Sequence, residues 1–416
     1  MRILDKYTIG TGDRFAHQGK AQLAAVKHAR EKDGLDISVV WNKSHREHEI
    51  IHTSPDSVRR EADSAVEELA WDGAYFVDAD HINLTNVDLF IDASDFFTID
   101  VADFTGEMAP ADDIERFVAD HQRLCGQLPV PGMREALPIT EEDIRSTAAT
   151  YLLAVKEAGR IYRHIEGKKG REDFVTEVSM DETDVPQRPE QLLVILAAIA
   201  GENIPLQTIA PKFTGRFNKG VDFVGDVDLF NREFEADVCI VHYAINEFGL
   251  PTNLKLSVHS GSDKFAIYPG INRAIKKHGA GLHIKTAGTT WLEELIGLAV
   301  SGEEGLAIAK EVYSRSLDRI DELCGPYATV IDIDSAKLPG GQEVSGWSGR
   351  QFAQALKHDR SCSDYNRHFR QLLHVGYKIA AEMGSRFTDA LKKHEAAIAP
   401  LVTQNLYERH IRPVFL

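Results

Sequence analysis

Three histidines of this sequence lie in, or directly after, short apolar segments. His81 follows "AYFVDAD", His259 ends "LKLSVH", and His283 lies within "LHIK". Neutral imidazole is the commonest protein ligand of transition metals, and three convergent ligands with open positions are typical of a catalytic site. The residues therefore predict a divalent cation, with zinc, manganese, nickel and cobalt not distinguished, if the three segments meet in space.

Two carboxylates lie at similar segment ends and are candidates for proton transfer. Asp80 directly precedes His81, and Glu177 lies in "DFVTEVSMDET". Two carboxylates across a pocket are the usual groups for general acid–base catalysis. Neighbouring residues of a strand point to opposite faces, so Asp80 and His81 reach one site only at the very end of a strand.

Positively charged or amide side chains also accompany the apolar segments, and the candidates for substrate binding are Arg14, Lys212, Lys285 and Gln207. Basic groups in an otherwise acidic chain indicate an anionic or polyhydroxylated ligand, and the guanidinium fork suits a carboxylate. Lys285 or Lys212 could instead form a Schiff base with a carbonyl substrate. For any one of these side chains a structural ion pair is the alternative, but their density at many segment ends favours an active site.

Alternating strand-like and helical segments are expected to position these residues. Strands are predicted at 7–12, 35–41, 74–82, 96–103, 173–183, 205–215, 254–259, 281–285 and 327–334, with helical patterns between them. This alternation favours a parallel sheet closed into a TIM-like (β/α)8 barrel, whose active site lies at the carboxyl ends of the strands. The sequence predicts a catalytic barrel over residues 1–350 and a helix-rich extension over 351–416 packed on the barrel.

Composition excludes several classes of protein. The chain has 416 residues and a formal net charge of −17, which disfavours a nucleic-acid or anionic-membrane partner. Its four cysteines form no C-x-x-C pair, which fits a reducing compartment. No signal peptide, apolar run of membrane-spanning length, dinucleotide-binding motif or phosphate-binding loop is found, so a cytoplasmic enzyme is expected.

Six segments together resemble the tagaturonate epimerase family. They occur in order over residues 7–300 and read "YTIGTGDRFAHQGKAQ", "YFVDADHINLTNVDLFIDASDFFTIDVADF", "VTEVSMDET", "PKFTGRFNKGVDFVGDVDLF", "LSVHSGSDKF" and "LHIKTAGTTWLEEL". That family interconverts D-tagaturonate and D-fructuronate, and relatives act on D-tagatose and D-fructose. The resemblance implies a metal-dependent barrel isomerase acting on a keto-hexuronate or ketohexose.

Roles for individual residues follow from the same resemblance. It implies that Asp80 accepts a proton and that Glu177 is the donor. It also implies that His81, His259 and His283 hold the metal ion, with Asp226 as a competing ligand. The inverted carbinol carbon of these sugars is β to the ketone, so its C–H is not acidified, and retro-aldol cleavage followed by re-addition is the expected route. A keto-sugar aldolase and a non-catalytic sugar-binding barrel stay open as alternatives.

Overall fold

A computed structural model of the protein describes residues 2–286 and 288–416. Eight parallel strands form a closed barrel, in the order β1, β2, β3, β4, β7, β8, β9, β10 and back to β1. They are β1 (Tyr7–Thr11), β2 (Ser38–Ser44), β3 (Tyr75–Ile82), β4 (Phe96–Asp100), β7 (Val175–Ser179), β8 (Leu206–Ala210), β9 (Lys255–His259) and β10 (Leu282–Lys285). Two short strands, β5 (Gly126–Leu128) and β6 (Leu137–Ile139), form an antiparallel pair outside the barrel. The predicted barrel is confirmed.

Helices follow most barrel strands and then make up the C-terminal part of the chain. Those that accompany the barrel are α1 (Gly19–Asp33), α2 (His45–Ile51), α3 (Pro55–Glu68), α4 (Ala111–Asp120), α5 (Glu141–Lys169), α6 (Pro189–Gly201), α7 (Val227–Phe248) and α8 (Tyr268–His278). The later ones are α9 (Thr289–Val300), α10 (Glu303–Asp318), α11 (Ile320–Cys324), α12 (Gly341–Ser345), α13 (Gly349–Leu356), α14 (Arg367–Val375), α15 (Tyr377–Glu382), α16 (Ser385–Lys393), α17 (Glu395–Gln404) and α18 (Arg412–Phe415). A π-helical segment, Asn405–Ile411, joins the last two. Among the described residues, no helix combines the length and hydropathy needed to cross a membrane.

The prediction of a strand at 327–334 is wrong. This segment begins in a 3₁₀ turn, Gly325–Tyr327, and continues as irregular chain on the surface of the helical region. Its alternating apolar residues fit a strand locally, and Ile331 and Ile333 do pack against a hydrophobic core. The pairing of β1 with β10 closes the barrel, which leaves no edge for a ninth strand.

The barrel interior is apolar at one end and polar at the other. Leu4, Val40, Phe76, Phe96 and Val175 form a small core at the end where the strands begin. Closer to the carboxyl ends, the inward positions hold carboxylates, a lysine and histidines instead. The apolar layer closes one end of the barrel, so a ligand enters only from the end that carries the polar side chains.

The helices after β10 have a hydrophobic core of their own. It runs from Trp291 in α9 to Val402 in α17 and includes Ala21 of α1, so the core shows no break at the predicted boundary of 350. Asp263, which follows β9, ties this region to the barrel: its buried carboxylate pairs with Arg370 (2.8 Å), His358 (2.9 Å) and His410 (3.2 Å). The loop after His259 is therefore held from the helical side.

Candidate active site

A buried lysine organises the polar end of the barrel. The Lys285 ammonium lies 2.8 Å from Asp78 Oδ2, 2.8 Å from Asp80 Oδ1 and 2.9 Å from Glu177 Oε1. It also donates a hydrogen bond to Thr98 Oγ1 (2.6 Å). Burial alone would lower the pKa of Lys285, but the three carboxylates raise it well above its ordinary value, so the amine is charged.

The three carboxylates around Lys285 differ in protonation. Burial would raise the pKa of each, but Lys285 and the neighbouring histidines hold the pKa values of Asp80 and Glu177 below their ordinary range. The pKa of Asp78, deeper in the barrel, is raised to about 7 by burial and by the other two acids. Asp80 and Glu177 are therefore the ionised pair at neutral pH.

A local irregularity in β3 brings both Asp80 and His81 to the mouth of the barrel. The pairing register of β3 with β4 shifts between Ala79 and Ile82, and His81 adopts a left-handed backbone with φ of 54°. Regular alternation would send the two side chains to opposite faces. With this bulge, His81 Nδ1 lies 3.0 Å from Asp100 Oδ2 while Asp80 contacts Lys285.

His259 lies between two carboxylates at the end of β9. It pairs in register with Lys285 of β10. Its Nε2 atom is 2.8 Å from Glu177 Oε1, and its Nδ1 atom is 3.2 Å from Asp181 Oδ2. The ring of His81 faces it with a centroid separation of 5.4 Å. Two imidazoles and a carboxylate thus converge beside Asp80.

Two overlapping groups of side chains have the geometry to hold a cation. Candidate ligand atoms of His81, Asp181 and His259 lie within 4.8 Å of one another, as do those of His81, Asp100 and Glu182. Imidazole nitrogen and carboxylate oxygen are suitable ligands for divalent transition metals. The residues at the mouth therefore fit a divalent cation.

His283 is the predicted ligand that the structure does not bring to this group. It lies two residues before Lys285 on the same face of β10, deeper in the barrel, and its Nδ1 atom is 2.7 Å from Thr8 Oγ1. Its ring is 5.4 Å from that of Phe96, and burial lowers the pKa of His283 to about 3. His283 is thus a neutral interior residue with a hydroxyl partner.

Two adjoining cavities, of about 310 and 440 Å³, open above this cluster. The smaller is lined by Asp80, His81, His259 and Lys285, and the larger extends over Lys212 and Lys219. The two cavities share Arg46, Asp181, Glu182, Lys219, His259 and Gly261. Glu177 lines neither, because His259 and Lys285 cover it.

The predicted substrate-binding residues are divided by the structure. Arg14 and Lys285 line the smaller cavity, and Lys212 lines the larger one. Gln207 is at the opposite end of the barrel, as the second residue of β8, where it bonds Leu4 N (3.0 Å) and Arg2 O (2.8 Å). Gln207 is therefore removed from the candidate site.

Asp226 lines neither cavity. It caps the N-terminus of α7 by accepting hydrogen bonds from the backbone amides of Asp228 (2.9 Å) and Leu229 (3.0 Å). A carboxylate satisfied in this way stabilises the helix rather than a metal ion.

Several residues of the cavities carry no local signal in the sequence. His374 in α14 and Tyr327 in a 3₁₀ turn come from the helical region, far along the chain from any strand end. Asp181, in contrast, is close to the end of β7, and the rule that places active sites at strand ends does select it.

Comparison with known proteins identifies similar chains. The family model described as tagaturonate epimerase matches residues 2–412. A tagaturonate/fructuronate epimerase of Thermotoga maritima is 27% identical over 420 aligned positions, covering 97% of this chain and 80% of that protein.

Solved structures show the same fold. A glycerol-bound fructuronate–tagaturonate epimerase of Cohnella laeviribosi superposes with a TM-score of 0.81 at 21% identity, covering 99% of this chain and 81% of that one. The native crystal structure of the same epimerase superposes with a TM-score of 0.77 and covers 82% of that chain.

Proposed function

Because the chain belongs to the tagaturonate epimerase family, we propose that it interconverts D-tagaturonate and D-fructuronate with the help of a divalent cation. One observation carries the proposal. The ionised carboxylate of Asp80 lines a cavity beside His81, His259 and Asp181, whose ligand atoms converge. A base next to a cation site is the equipment that cleavage β to a ketone requires.

The chemistry starts at the hydroxyl of the carbon to be inverted. Asp80 accepts the proton of that hydroxyl, and the oxygen forms an aldehyde as the bond between this carbon and the carbon next to the ketone breaks. The released electron pair gives an enediolate on the ketone fragment. The aldehyde rotates, the bond forms again on its other face, and the new alkoxide takes a proton. A cation held by His81, Asp181 and His259 would supply Lewis-acid stabilisation of negative charge on oxygen.

Glu177 acts in this scheme through its neighbours. It lines neither cavity, and its Oε1 atom contacts His259 and Lys285. Glu177 therefore orients His259 and holds Lys285 charged, and any proton that it returns passes through one of these two side chains. Lys285 itself is disfavoured as a Schiff-base nucleophile, because its raised pKa keeps the amine protonated.

The function is tested by one assay with two substrates. The protein is stripped with a chelator, resupplied with manganese, zinc or nickel, and incubated separately with D-fructuronate and D-fructose. We expect D-tagaturonate from D-fructuronate, with activity lost on chelation and restored by metal. Absence of product with every metal would contradict the proposal, and a released three-carbon fragment would indicate an aldolase.

The cation site is tested by metal content. His259→Ala and His81→Ala are each expected to weaken metal binding strongly. Loss of a residue that only hydrogen-bonds to a metal ligand costs roughly 10- to 100-fold in affinity, and loss of a ligand should cost more. His283→Gln is the matched control and is expected to keep the wild-type stoichiometry, because His283 lies deeper in the barrel. Elemental analysis of dialysed protein gives the result. Metal loss in the His283 variant with full binding in the His259 variant would reverse this assignment.

A further inference from the structure

We propose that the helical region after β10 builds a carboxylate-binding subsite from Tyr327 and His374, together with Arg14, Arg46 and Lys219, and so selects uronates over neutral ketoses. The inference rests on the proposed function, since it assigns one end of the same substrate. It gives residues outside the barrel a role in specificity, while the strand ends keep the chemistry.

Two cations of this subsite have no acidic partner. Among residues 2–286 and 288–416, no carboxylate lies within 4.0 Å of the charged groups of Arg46 or Lys219. Both side chains line both cavities. Arg14 also lines the smaller cavity, where it pairs with Glu47. Its guanidinium carbon lies 4.3 Å from the ring centroid of Tyr377. Unpaired cations in a cleft of an acidic protein attract an anion.

Positively charged side chains surround Tyr327, which lines the larger cavity. Arg46 is 5.1 Å and Lys219 is 5.9 Å from its ring centroid, and its hydroxyl lies 3.2 Å from that of Tyr377. Burial would raise the pKa of Tyr327, but Arg46, Arg14, the hydrogen bond with Tyr377 and Lys219 lower it below its ordinary value. A hydroxyl in such a field donates readily to a carboxylate oxygen.

His374 adds a buried and unpartnered ring nitrogen. Its side chain lines the smaller cavity at 3% exposure, and its Nε2 atom has no hydrogen-bond partner among the described residues. Burial and the nearby cations Arg14 and Lys219 hold the pKa of His374 well below its ordinary value, so the ring is neutral. A Cβ atom on Gly288 would collide with this nitrogen, so the absence of a side chain at 288 gives the ring its position. An unpartnered buried polar atom is costly unless a ligand completes it.

The arrangement fixes the orientation of the substrate. The lining of the smaller cavity includes Asp80, Asp181 and the histidine pair, together with Arg14, Lys219 and His374. A substrate carboxylate held by the cation Lys219 leaves the rest of the sugar chain to face Asp80, which lines the same cavity. A neutral ketose lacks this distinction between its two ends.

The test is Lys219→Met, measured with two ligands. Dissociation constants of D-tagaturonate and D-tagatose are determined by calorimetry, alongside kcat/KM for both. We expect affinity for D-tagaturonate to fall about 10- to 100-fold, which is the range for loss of a charged hydrogen-bond partner, with affinity for D-tagatose within about twofold of wild type. His374→Asn and Tyr327→Phe are expected to change affinity in the same direction by smaller factors. Lys6→Met is the matched control, because Lys6 is exposed at the other end of the barrel.

The outcomes separate this inference from the proposed function. Equal loss of affinity for both sugars in Lys219→Met, or no loss for either, overturns the subsite even if wild type is an active epimerase. A selective loss for D-tagaturonate in a protein that turns over neither sugar supports the subsite and overturns the function. Lys219 is half-buried in a loop, so its replacement keeps the fold, and an unchanged melting temperature verifies this.

Discussion

Replacing Lys285 with methionine is expected to lower the free energy of unfolding by about 3–5 kcal/mol and to abolish turnover. The side chain is 4% exposed, and its removal leaves the buried Asp78 and Glu177 and the half-buried Asp80 without their common partner. Chemical denaturation gives the free energy of unfolding, and the epimerase assay gives the rate.

A second buried lysine provides the control for Lys285. Lys255 lies in the adjacent strand β9 and is 2% exposed, but its amine bonds the backbone carbonyl of Asp5 instead of a carboxylate. Burial lowers the pKa of Lys255 to about 7, so Lys255→Met is expected to cost about 1 kcal/mol or less. Equal losses in the two variants would contradict the role given to the three carboxylates.

The stability deficit of Lys285→Met is also expected to depend on pH. The pKa values of Asp80 and Glu177 are lowered in the folded protein, so their contribution is fully present above about pH 5 and is lost on acidification. Without Lys285 these carboxylates take up protons more readily, and protonation removes the cost of burying their unpaired charges in the variant. The deficit should therefore narrow as the pH falls, and unfolding curves at several pH values measure this.

Asp80→Asn is expected to reduce kcat by about 10²- to 10⁴-fold, the contribution typical of a general base, with bound metal retained. The amide keeps the size of the side chain but cannot accept the hydroxyl proton. Parallel assays of kcat and metal content separate loss of the base from loss of the cation.

Asp78→Asn is the matched control for this change. Asp78 is two residues earlier in the same strand and contacts the same amine at 2.8 Å, but it lines neither cavity. The Asp78→Asn variant should retain much more turnover than Asp80→Asn, because only Asp80 faces the substrate. Full activity in the Asp80 variant, or an equal loss in both, would remove Asp80 as the proton acceptor.

Much of the fold was predictable because the local pattern encodes it. All eight barrel strands overlap predicted segments, since short apolar runs between helical patterns specify parallel strands. The ends of these strands also select Asp80, His81, His259 and Lys285, which the structure brings together. The ninth predicted segment has the same local pattern, but a closed barrel has no edge to pair with it.

The sequence by itself determined which residues follow each strand, and therefore the set of groups from which the site is built. Only the tertiary structure decided how deep each one lies. His283 and Lys285 share a face of β10 but differ in depth by about 6–7 Å, so one is interior and the other reaches the cavity. Gln207 lies at the far end of the barrel for the same reason. Alternation along a strand encodes which face each side chain takes, whereas its depth in the barrel depends on the stagger between strands. The approach of His374 and Tyr327 depends on how the helices pack over the mouth.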